Sequence, residues 1–427
     1  MLYKPLGMPY NRIGRRCIER RKTMKARTAK RFVSAAFFTL LTVFIIFALM
    51  CILSDVDPSS YPYKSYLLQA QAWLRGETAL DKNYEYLELA VYDGRYYVSF
   101  PPVPSVPMVL YTLIWGSDVP GGMFQKIYIA IACLVVLSEI QRSKRMQPYQ
   151  AVAWAVLLCL GSAMLPICLV GGVWYEAQIL AFLFSVSAIA AMRSHRFITA
   201  CLCYALSVGC RPFSVLLGPV LLVMYLEDQH CANRHHRHYS LRQSFMRLVP
   251  GIAAGLCVAA AYAAYNYARF GNIFEFGHNY LPEFTRAEHG QLSLQYVGQN
   301  WKTLFFGSPV SVGENGLSFN EFGFSMFLSC PILIVNVIWL IQDLIRRRFS
   351  ITKLTIAVMS AANLLLLLMH RTLGGHQFGA RYVLELVPMC LVWYLISSDR
   401  QKPAWWEWAL LAFGFIFNFV GGCLVHI

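Results

Sequence analysis

Residues 32–53 run without a single charge, immediately after the basic stretch RIGRRCIERRKTMKARTAKR at 12–31. A helix needs ~20 apolar residues to cross a bilayer, and this run has that length. The basic block beside it reads as a positive-inside anchor, with the N-terminal segment in the cytoplasm, in preference to a nucleic-acid arm. The run exceeds a signal-peptide core, and LSDVDPSSYP after it offers no small-residue cleavage site, so a retained helix is expected.

Similar runs recur along the chain. Hydrophobic residues make up 57% of the sequence and charged ones 14%, against roughly a quarter charged in soluble domains. Candidate spans are 32–53, 121–141, 149–169, 177–192, 197–210, 213–227, 247–268, 323–343, 354–370, 380–397 and 405–425. The segment 103–116 (VPSVPMVLYTLIWG) is apolar too, but short and broken by proline. Loop charge decides its status. If it spanned, RSKR at 142–145 would face outward. If it lies in the interface, that loop and every later basic one (193–196, 228–247, 346–348, 400–402) face the cytoplasm, as the positive-inside rule prefers. The expected fold is an all-α polytopic membrane protein of about eleven transmembrane helices, with an interfacial helix and a long first external loop. A basic cytoplasmic tail at 1–31 precedes a single membrane domain at 32–427, with external loops at 54–120, 269–322 and 370–381 and the C-terminal end outside.

Most of the 13 cysteines lie within apolar runs, where cysteine behaves as a small hydrophobe, and structural disulfides are not expected. HCANRHHRH at 230–238 matches no standard zinc spacing and reads as a basic loop. The polar residues gather in the three external loops. The first carries Asp55, Asp57, Glu85, Glu88, Asp93 and Arg95, and Asp93-Gly94 is a turn signal between two short strand-like runs. Glu176 follows at a helix edge in GGVWYE. The large loop holds Glu275, His278, Glu283, Arg286, Glu288 and His289, and the last holds Arg371, His376, Arg381 and Tyr382. A carboxylate can act as general base on a hydroxyl or hold a divalent metal. Arginines at a bilayer surface grip phosphate with paired hydrogen bonds. Against this, a loop carboxylate is ordinarily just solvated. Arg211 stands apart: it lies between two apolar runs with no acidic neighbour in sequence, a costly placement that marks function, with snorkelling as the plain alternative. Arg381, opening a helix after a Gly-rich loop, resembles it, with anchoring as its alternative.

Several stretches resemble the GT-C superfamily of membrane glycosyltransferases, in a bacterial branch like the aminoarabinose and mannosyl transferases. They are the helix SYLLQAQAWLRG, the interfacial YYVSFPPVPSVPMVLYTLIWG, the junction LSVGCRPFSVLLGP, the late GGHQFGARYVLELVP and the block ARFGNIFEFGHNYLPEF. The resemblance implies transfer of a sugar from a polyprenyl-phosphate donor to a lipid, glycan or protein acceptor, on the outer face of the cytoplasmic membrane and among membrane lipids, without nucleic acid. Arg211 matches its phosphate-contacting position, Arg381 its late basic position and Glu176 its acidic position after the third span. Tyr66, Tyr97, His278, His376 and Tyr382 would line the groove. Two departures stand out. Pro62 occupies the position of the family's catalytic Asp, and Phe100 replaces the basic residue before the Pro pair. Asp57, Asp55, Glu88 and Asp93 are substitutes by placement, beside Glu176. Arg211→Ala is expected to abolish transfer and leave folding intact. The competing readings are a lipid or sugar transporter, which needs polar groups near the midplane, and a non-catalytic scaffold in envelope assembly.

Overall fold

The computed structural model describes residues 10–232, 240–313 and 316–425, which leaves His235, His236 and His238 outside the described residues. Helix α1 (Tyr10–Leu53) is followed by α2 (Ser65–Leu74), the hairpin β1 (Leu89–Tyr92) and β2 (Arg95–Val98), and α3 (Ser105–Trp115). The bundle continues through α4 (Gly121–Ser143), α5 (Pro148–Leu160), α6 (Met164–Ile167), α7 (Val173–Arg193), α8 (Phe197–Val208), α9 (Leu217–Ala232) and α10 (Leu241–Phe270). After α11 (Pro282–Thr285), α12 (Val297–Phe306) and the hairpin β3 (Val310–Gly313) and β4 (Gly316–Phe319) come α13 (Met326–Ser329), α14 (Ile332–Ile345), α15 (Ile351–Met369), α16 (Val387–Ile396) and α17 (Trp405–Leu424).

The protein is an all-α polytopic membrane protein carrying two short hairpins. Among the described residues, six helices are long and apolar enough to cross a membrane: Phe32–Leu53, α4, α7, Arg242–Phe270, α15 and α17. Each of the other expected spans contains a shorter helix. The 149–169 run divides into α5 and α6 at Gly161, where α17 approaches so closely that a Cβ would sit 3.0 Å from the Leu411 carbonyl oxygen. The 323–343 run breaks before Pro331, whose ring forces the preceding residue out of helical geometry. The 213–227 and 380–397 runs each open with a 3-10 turn, Pro212–Leu216 and Arg381–Leu386. At 11 residues and 1.5 Å per residue, α3 is about 16 Å long and too short to span. Its exposed Val106, Leu110, Leu113 and Ile114 suit the interface.

The described parts of the basic loops gather at one end. Glu139 holds both Arg142 and Arg193, at 2.9 and 2.8 Å. Lys144 donates to the carbonyls of Tyr394 and Ser397. Asp343, fully buried, is the hub: Lys353 Nζ and Arg400 Nη2 each lie 2.7 Å from it and Trp393 Nε1 lies 3.0 Å away. Removing one partner of a buried ionic cluster leaves uncompensated charge and costs about 3–5 kcal/mol. Asp343→Ala is therefore expected to lower the melting temperature steeply in detergent, whereas the exposed Arg348–Asp399 pair is worth under about 1 kcal/mol.

The three long loops meet at the other end. Ser99 donates to the Glu88 carbonyl, Arg269 to the Val98 carbonyl and Tyr175 to the His376 carbonyl. Bridges join Tyr63 to Gly172, Leu292 to His370 and Phe322 to Gln377. The β1–β2 turn is the expected Asp93-Gly94, at φ +48° and +70°, the left-handed pair that a two-residue hairpin requires.

Candidate functional site

Arg211 and Arg381 come together although 170 residues separate them. Each sits where a loop passes into a 3-10 turn: Arg211 caps Pro212–Leu216 with extended backbone, and Arg381 begins Arg381–Leu386. The two guanidinium carbons lie 4.7 and 4.8 Å from the centroid of the Tyr382 ring, within the range of cation–π attraction. Arg211 is neutralised, its Nε donating to Glu385 Oε1 at 2.8 Å. Arg381 is not. It is 1% exposed, and among the described residues its Nε and Nη1 have no partner. Gln377 accepts from the Arg381 backbone N–H at 2.9 Å, fixing the main chain and leaving the side chain for something else. Buried donors without partners are rare and call for an explanation.

The surrounding walls come from the loops. His370 meets the Tyr382 ring edge-on at 5.6 Å, held by the Thr372 carbonyl. His278 lies 4.9 Å from Phe284 and 5.9 Å from Phe100, and its Nδ1 is buried without a partner. Burial, then the His370 ring, push the His278 imidazole down to about 3, so it is neutral at ordinary pH. Glu88 is half-buried just before β1, its Oε2 accepting from Trp174 Nε1 at 2.9 Å, and it lies within electrostatic reach of Arg381 and Glu283. Partial desolvation, then the Glu88 charge, raise the Glu283 carboxyl, with Arg371 opposing.

His278 yields a pH prediction. Unfolded, it titrates near ~6.5. The unfolded chain therefore binds more protons below that value, and the stability His278 contributes is complete above it and lost as pH falls toward about 3. Melting temperature is expected to drop between pH 7 and 5, with a shallower slope in His278→Gln.

The other expected site residues are scattered around this cluster. Glu176 is fully buried at the start of α7, one oxygen accepting from the Tyr61 hydroxyl at 2.6 Å and the other unpartnered. Tyr66, wholly buried in α2, lies within electrostatic reach of both Glu176 and Arg211. Asp55 and Asp57 line an apolar surface groove of about 770 Å³ between α1 and α4. The Ser59 backbone N–H and hydroxyl hold the exposed Asp57 carboxyl below its usual range, which assigns it to a local turn. Asp93 is at the exposed hairpin tip, where turn geometry accounts for it. Tyr97 packs on Phe270 at 5.2 Å, and His376 faces Glu321 at 3.2 Å on the surface. Glu385 and His370 went unnoticed in the sequence. Glu385 carried a readable signal, being the one charge between Arg381 and Ser397 in an apolar run. Among the described residues, no three His, Cys, Asp or Glu side chains converge as a metal site.

No protein-family model matches the chain, and no curated protein does. Among solved structures it is similar to ArnT from Cupriavidus metallidurans in the apo state, at TM-score 0.44 and 14% identity, over 85% of this chain and 60% of that one. The same ArnT bound to undecaprenyl phosphate gives TM-score 0.40 and 13% identity, over 86% and 62%. The chain thus spans about 60% of the length of these solved proteins.

Proposed function

We propose that the protein transfers a sugar from a polyprenyl-phosphate donor to an acceptor hydroxyl at the loop end of the bundle, on the extracytoplasmic side of the cytoplasmic membrane. One observation carries this reading: the buried Arg381 guanidinium, with two unpartnered nitrogens, faces the same Tyr382 ring as Arg211. Such a pair suits a lipid phosphate. In the reaction the acceptor oxygen attacks the anomeric carbon, and the bond from that carbon to the phosphate oxygen breaks with its electron pair on phosphate. The phosphodiester becomes a monoester, and its charge grows by about one unit. Fixed cations aimed at charge that develops in the transition state are the strongest catalytic device available to such a site. Glu88 takes the acceptor proton, and backside attack inverts the anomeric centre.

Glu88→Gln keeps the Trp174 contact and removes the base. It is expected to bind the donor as the native protein does and to lose transfer by about 100-fold or more. The donor sugar is found by lipid mass spectrometry of a strain lacking the protein, in which one polyprenyl-linked sugar should accumulate. An unchanged lipid profile in that strain would sink the transferase reading, whereas full transfer by Glu88→Gln would remove only the base role of Glu88.

A further inference from the structure

Glu385, the partner of Arg211, also lines a small cavity shared by Gln178, Ser185 and Ser214. One Glu385 oxygen is taken by Arg211. The other is buried without a partner, and so is Gln178 Oε1. Ser207 donates to the Ala181 carbonyl, so the hydrogen in its 2.8 Å contact with Ser185 comes from Ser185, whose oxygen keeps its lone pairs. Two buried acceptors of the lining, Glu385 Oε2 and Gln178 Oε1, are thus left without a donor among the described residues. Gln178 is 1% exposed and Glu385 8%, so bulk water cannot supply the donors.

A cation or a water would satisfy both oxygens at once. Arg211 already neutralises Glu385, and Arg381 adds an unpaired positive charge close by. A further cation would meet repulsion from both arginines in a low-dielectric interior. A water brings two donor hydrogens and no charge, and the space holds about one. We infer that a single buried water donates to Glu385 Oε2 and Gln178 Oε1, and that Gln178 and Glu385 are thereby positioning residues for Arg211. The chain of bonds runs Gln178, water, Glu385, Arg211, and it sets the angle at which Arg211 presents its remaining N–H groups. The functional half of this inference rests on the phosphate role proposed for Arg211.

The test is Gln178→Leu in the full chain, reconstituted in lipid nanodiscs, with undecaprenyl phosphate as the probe. If the water is present, the leucine removes one of its anchors and strands the Glu385 oxygen. Melting temperature then falls, and Kd for the probe rises about tenfold as a charge-assisted contact loosens. Gln178→Asn, which keeps the acceptor, restores most of both. If the cavity is dry, leucine merely deletes an unpaired acceptor; melting temperature rises, Kd does not move, and the inference is overturned. A native protein that fails to bind the probe overturns the phosphate role. The sign of the melting shift in Gln178→Leu still decides the water.

Discussion

Arg381→Met is expected to weaken binding of undecaprenyl phosphate by roughly 100-fold or more and to leave the melting temperature unchanged or slightly raised. The asymmetry follows from what surrounds the side chain. Its Nε and Nη1 have no partner among the described residues, so methionine deletes two unsatisfied buried donors and fills most of the volume. Each such donor costs about 1–3 kcal/mol to bury unpaired, which is why the change does not destabilise. Each charge-assisted bond to a phosphate contributes about 1.5–3 kcal/mol, so losing two weakens affinity by roughly 100-fold or more. Native mass spectrometry of the two proteins with graded lipid measures the ratio, and thermal unfolding in the same detergent measures stability. Equal affinities would remove Arg381 from the site, whatever the melting curves show.

Arg211→Met behaves in the opposite way and is expected to unfold readily. Its loss leaves the Glu385 carboxylate, 8% exposed, without its 2.8 Å partner, at a cost of about 3–5 kcal/mol. This revises the expectation from sequence that replacing Arg211 spares the fold, because its acidic partner lies 174 positions away along the chain. The double variant Arg211→Met, Glu385→Gln removes both charges and is expected to recover most of the lost stability while remaining unable to bind the lipid phosphate. A single Arg211 variant as stable as the native protein would mean that the pair contributes nothing to folding.

The contrast between these arginines shows what the amino-acid order discloses. Charge-free length is a local property, so the apolar runs and the short α3 could be read directly, and loop charge correctly grouped the basic loops at one end. The Asp93-Gly94 turn was legible for the same reason: two adjacent residues determine it. Where a run breaks depends on a neighbour instead. At Gly161 the α17 backbone comes close, a Cβ there lying 3.0 Å from the Leu411 carbonyl oxygen, and that approach is not written in the residues near Gly161. The site was half visible. Arg211, Arg381, Glu88, His278 and Tyr382 stand out as polar groups in apolar or loop surroundings. Glu385 lies 174 positions from Arg211, and the Asp343 hub joins α14, α15 and the turn after α16, so both pairings exist only once the helices pack. Tyr97 and His376 looked equivalent to Tyr382 because exposure and contact partners are not encoded by residue type.

The hairpin turn has a practical bearing on topology. Its strands are anchored by their own register and by Arg269 and Phe270 beneath, while Asp93 and Gly94 are exposed and have no tertiary partner among the described residues. An epitope tag inserted between these two residues should be carried without disturbing Glu88 or Ser99 at the hairpin base. In intact cells and in inverted vesicles, the compartment from which an antibody reaches that tag reports which face of the membrane the arginine pair occupies.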